Sequence, residues 1–114
     1  MIDLESALVA ARAAARTSKK PVYRRAVKLL SKKTNQLVEV NVGKLEAISP
    51  EDGVLLVPGK VLGEGEVSKK LHVGAVAFSA SAVQKIGSAG GEALQIKEFV
   101  AKYAEGKGVL LVGG

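Results

Sequence analysis

Two apolar runs separated by a stretch rich in glycine and lysine set the terms for what this chain can fold into. Val54–Leu55–Leu56–Val57 carries no polar side chain, which predicts a strand covered on both faces. The stretch Val57–Lys70, VPGKVLGEGEVSKK, follows with a Pro-Gly break, glycines at 63 and 65, and the pair Lys69–Lys70. Leu71, Val73, Ala75 and Ala77 then alternate with His72, Gly74 and Val76, a second strand of small, closely packing side chains. Buried strands joined by such a connection can hold a phosphate, and the remaining residues decide whose.

The flanking segments read as alternating strands and short helices. Leu37–Val42 alternates as a half-buried strand, with a short turn or helical piece at Leu45–Ile48 and a turn at Ser49–Gly53. Ser79 is the expected N-cap of a helix that buries Ala82, Val83, Ile86 and Ala89 and stops at Gly90–Gly91. A strand at Ala93–Ile96, a helix at Lys97–Tyr103, a turn at Glu105–Gly108 and a strand at Val109–Val112 complete the pattern. Strands alternating with helices imply α/β. With only four aromatic residues, Tyr23, Phe78, Phe99 and Tyr103, the core must be built from Val, Leu, Ile and Ala.

The charge is lopsided. Residues 1–44 carry ten Lys/Arg against three Asp/Glu, whereas residues 45–114 carry seven against eight. The chain therefore divides into a basic helical part, 1–34, and an α/β core, 35–114, within one domain of 114 residues. A first helix is expected from an Asp3 N-cap to Arg16, with Leu4, Leu8, Ala11 and Ala15 on one face and Arg12 and Arg16 one turn apart. Lys19–Lys20 and Pro21 mark the break before a second helix, Val22–Lys33. At about 100° per residue, Arg24, Arg25, Lys28 and Lys32 share one arc while Tyr23, Ala26, Val27 and Leu30 share the opposite one, with Lys33 between them. Such a cationic stripe can follow a phosphate backbone. A membrane-surface helix would need bulkier apolar residues on its other face.

Catalytic and cofactor signatures fail on spacing. His72 is the single histidine, in a strand pattern with no acid close in sequence, and reads as structural or surface. The absence of cysteine excludes disulfides, thiolate metal sites and a cysteine nucleophile. Gly59–Lys60 is followed by Val61, which rules out a P-loop, and Gly59, Gly63 and Gly65 do not match a dinucleotide fingerprint. No metal, no cofactor and no small-molecule substrate are expected. No apolar run of about 18 residues is present. Without a basic-then-apolar leader pattern, a cytoplasmic location is expected.

The wording of several blocks is specific. Val57–Pro58–Gly59–Lys60–Val61–Leu62–Gly63–Glu64–Gly65–Glu66 resembles the signature of the ribosomal protein L-eighteen-e family of archaea and eukaryotes, itself related to the bacterial L-fifteen proteins. Glu39–Val42, Ala77–Phe78–Ser79 with Ser81–Ala82, Ala89–Gly90–Gly91, and Gly106–Val109 agree in order and spacing. The resemblance covers about Pro21 to the end and looks archaeal. It implies an irregular β-β-α superhelical core behind two N-terminal helices, no catalysis, and a structural place in the large ribosomal subunit, with ribosomal RNA and neighbouring large-subunit proteins as partners. It also implies RNA approach at a loop carrying Gly59, Lys60 and Gly63, and matches Lys44 to a family lysine. The pattern departs at Thr34–Leu37, where relatives tend to be arginine-rich, leaving Lys32 and Lys33 as candidates for those contacts. With Arg12, Arg16, Lys19, Lys20, Arg24, Arg25 and Lys28 as the main track, Lys69 and Lys70 are expected to support the grip. A non-ribosomal RNA-binding module and a small nucleotide-binding α/β enzyme using Gly59–Gly65 are the alternatives.

Overall fold

Every strand of the structure, a computed structural model describing residues 4–31 and 37–113, runs parallel to its neighbours. The order is α1 (Leu4–Thr17), α2 (Val22–Leu30), β1 (Val38–Asn41), α3 (Val42–Ile48), β2 (Val54–Leu62), β3 (His72–Phe78), α4 (Ala80–Ser88), β4 (Glu92–Gln95), α5 (Ile96–Lys102) and β5 (Val109–Leu111). Central β2 pairs with β3 along one edge, and β4 pairs with β3 beyond it. The other edge of β2 is shared end to end. Val54–Leu56 takes β5 and Gly59–Leu62 takes β1.

The unbroken apolar run of β2 is buried on both faces, as its composition requires. Leu55 and Val57 pack with Leu45, Ala82 and Ile86 of α3 and α4. Leu56 packs on the opposite face with Tyr23, Leu30, Ile96 and Phe99 of α2 and α5. The sheet therefore lies between two helical layers, α1, α2 and α5 on one side and α3 and α4 on the other. This is the α/β class expected, with two helices ahead of the core.

Several boundaries differ from expectation, each for a physical reason. The Pro58–Gly59 pair does not break β2. It lies at a register shift between Val57 and Lys60, where a residue lacking an N–H is tolerated, and the strand runs on to Leu62. Val42 opens α3 and Ile96 opens α5, so neither ends a strand. α2 ends at Leu30, with the Ser31 hydroxyl donating to the Val27 carbonyl at 2.7 Å. The expected cap Asp3, the cations Lys32 and Lys33, and Thr34–Gln36 lie outside the described residues. In α1 the deepest contacts are Ala7, Ala11 and Ala14, while Leu4, Leu8 and Ala15 are half-buried. Ser79 does cap α4, its Oγ accepting from the Ala82 N–H at 3.2 Å, but Val83 is 48% exposed rather than buried.

Candidate nucleic-acid interface

Small side chains bring the first two helices close together. Ala7, Ala11 and Ala14 of α1 face the layer that holds Tyr23, Ala26 and Leu30 of α2. With those residues turned inward, the outward sides enclose an open groove of about 420 Å³. Its floor is Ala15 and Val27, and its walls are Arg12 and Arg16 from α1 and Arg24 and Lys28 from α2. No acidic side chain lines it, and no ion pair among the described residues engages these four exposed cations. Four uncompensated like charges around an apolar floor create a field that attracts a polyanion. Arg25 is exposed on α2 but does not line the groove. Lys19 and Lys20 line a separate hollow at the linker between the helices.

The other expected contact residues are not gathered there. Gly59 and Lys60 stand inside β2, not in a loop, and Gly59 is buried. A Cβ on Gly59 would fall 1.9 Å from the Val38 carbonyl oxygen, so this glycine exists to let β1 reach β2. Gly63 gives way to Ser81, whose Oγ would meet its Cβ at 1.8 Å, and Gly65, at φ +106°, packs on Gly43. These glycines serve internal packing, which removes the reason for reading Gly59–Gly65 as a nucleotide loop. Lys69 is committed as well. Its Nζ donates to the Glu46 and Ser49 carbonyls at 2.9 and 2.7 Å, closing the end of α3. Lys44 is exposed on α3, in the layer opposite α1 and α2. Lys70 is exposed just before β3, its N–H donating to Glu51.

Two arrangements carry no local sequence signal. Lys85 reaches from α4 to donate to the Gly63 and Gly65 carbonyls at 2.8 and 2.7 Å, pinning the connection between β2 and β3. His72, without an acid nearby in sequence, acquires two through the fold. Its Nδ1 is 2.7 Å from Glu92 Oε2 across the β3–β4 register, and its Nε2 is 3.7 Å from Asp52 Oδ1. Glu92 also accepts from Lys102 Nζ at 2.7 and 2.9 Å and from the Tyr103 hydroxyl at 3.2 Å. The Lys102 ammonium first, then His72 and Tyr103, hold the Glu92 carboxyl below the usual carboxylate range. The network ties β3, β4 and α5 into one corner.

A family model that groups the ribosomal proteins 50S-L15 and 50S-L18e with their 60S counterpart matches residues 2–94 of the chain. Three curated relatives carry the name large ribosomal subunit protein eL18. The protein of Pyrobaculum aerophilum is 44% identical over 101 residues, covering 89% of this chain and 83% of the relative. That of Methanopyrus kandleri is 41% identical, covering 81% and 76%. That of Halobacterium salinarum is 36% identical over 109 residues, covering 96% and 93%.

Proposed function

Because the chain belongs to the family of ribosomal proteins 50S-L15 and 50S-L18e, we propose that it holds ribosomal RNA in the groove between α1 and α2. It is a structural constituent of the large ribosomal subunit, a non-enzymatic kind of protein. Its partners are ribosomal RNA and neighbouring proteins of that subunit. The observation that carries the RNA reading is the convergence of Arg12, Arg16, Arg24 and Lys28 from two helices on one acid-free groove. A phosphate backbone laid along it meets cations on both sides, and its recognition depends on RNA shape and charge rather than on base stacking.

The test is the salt dependence of binding to large-subunit RNA. Each phosphate neutralised contributes about 0.7–0.9 to the log–log slope, so Arg24→Ala with Lys28→Ala flattens it by about 1.5. An unchanged slope rules out the groove. Co-sedimentation with large subunits at moderate salt separates this reading from that of a free RNA-binding module, which would sediment apart.

A further inference from the structure

The geometry points to a second phosphate-binding site, in which Lys107 joins Lys19 and Lys20 to receive RNA backbone phosphate. This inference rests on the RNA-binding reading above. The site is a hollow of about 440 Å³ where the linker between α1 and α2 meets the turn between α5 and β5. Thr17–Lys20 form one wall, and Ala104, Glu105 and Lys107 form the other. Three exposed ammonium groups and one exposed carboxylate line it, so cations are in excess. No ion pair among the described residues joins these lysines to Glu105 or to any other acid.

The fold commits several long-range contacts to this juxtaposition. The Ser18 hydroxyl donates to the Glu105 carbonyl at 2.6 Å, linking residues 87 positions apart. Tyr23, just beyond the linker, donates to the carbonyl of Tyr103. Gly106 is buried at φ +72°, and a Cβ there would meet Val22 Cγ1 at 2.6 Å, so only glycine lets the turn come this close. Gly108, at φ +74°, closes the other side. Lys107 is thus held at a turn tip between two left-handed glycines, facing the lysines of the linker. Like charges held together repel unless an anion lies between them, and a bridging phosphate relieves that repulsion. The hollow also adjoins the groove, since Arg16 lines the groove and the next residue, Thr17, lines the hollow. One RNA segment can therefore pass from one site to the other. Lys107 lies beyond residues 2–94, the part matched by the family model.

The experiment compares the intact protein with its Lys107→Ala, Lys107→Arg and Glu105→Gln variants. Binding to large-subunit RNA is followed by fluorescence anisotropy across a salt series, and thermal unfolding is recorded alongside. Lys107→Ala should lower the log–log slope by about 0.7–0.9, the share of one phosphate. Lys107→Arg should keep the wild-type slope and Glu105→Gln should bind more tightly, all three with unchanged unfolding. A wild-type slope in Lys107→Ala, with the Arg24/Lys28 variant still flattened, overturns this site and leaves the groove standing. Equal losses in Lys107→Ala and Lys107→Arg overturn it in favour of a packing role. Failure of the wild-type protein to bind the RNA at all overturns the groove reading and this site together.

Discussion

The buried hydroxyl of Tyr23 on α2 donates to the backbone carbonyl of Tyr103 at the end of α5, across 80 positions of sequence. Tyr103 in turn packs its ring on Phe99, centroids 4.9 Å apart and tilted by 46°. The basic N-terminal helices are therefore fastened to the end of the α/β core by a polar contact inside an apolar layer.

Removing that hydroxyl should be costly. Tyr23→Phe leaves the Tyr103 carbonyl without its partner and should destabilise the fold by about 1–2 kcal/mol in urea unfolding. Burial also pushes the Tyr23 phenol up to about 12. A raised folded-state value means that this contribution to stability is complete below about pH 10 and is lost as pH rises toward 12. Tyr23→Phe should therefore show a shallower alkaline decline than the wild type.

Glu92 should govern the acid side. Its carboxyl is held low by Lys102, then by His72 and Tyr103, so the stability it supplies is present above its unfolded value of about 4.3 and lost as pH falls through its lower folded value. Glu92→Gln should lower stability by about 1 kcal/mol at neutral pH and reduce the acid-induced loss below about pH 4. An acid limb identical to that of the wild type would remove Glu92 from this role.

Two glycines should respond in opposite directions. Gly59→Ala places a methyl group 1.9 Å from the Val38 carbonyl oxygen and must separate β1 from β2, at a cost of several kcal/mol. Gly87 lies inside α4 with nothing within 4 Å of where a methyl group would stand, so Gly87→Ala should stabilise by about 0.5–1 kcal/mol. Chemical denaturation of both variants checks the pair.

Lys69 should prove structural. Lys69→Met removes the ammonium that bridges the Glu46 and Ser49 carbonyls and should cost about 1–2 kcal/mol. The salt slope of RNA binding should stay as in the wild type. A flattened slope at unchanged stability would return Lys69 to the RNA surface.

The features legible in the sequence are those set by short-range pattern. The apolar run Val54–Val57 announced a strand covered on both faces, Ser79 announced a cap, and the arc of Arg24 and Lys28 opposite Tyr23 and Leu30 announced which way α2 turns. What failed depended on a distant neighbour. Pro58–Gly59 has the composition of a turn, and only the approach of Val38 makes it a bulge inside β2. Lys69 has the look of a surface cation until the carbonyl ends of α3 arrive beside it. Val83 fits the helical stripe of α4, yet that face extends past the edge of its cover. Lys107 belongs to no charge run, and its neighbours Lys19 and Lys20 come from the other end of the chain.

The shared edge of β2 has a consequence for synthesis. Its second half can pair with β1 as soon as both have left the ribosome, but Val54–Leu56 must wait for Val109–Leu111, nearly half the chain later. Until then the most apolar strand of the protein presents a bare row of backbone donors and acceptors beside Leu55 and Leu56. The nascent chain therefore passes through a stage at which its sheet is open at one place, and emergence of the last strand closes it.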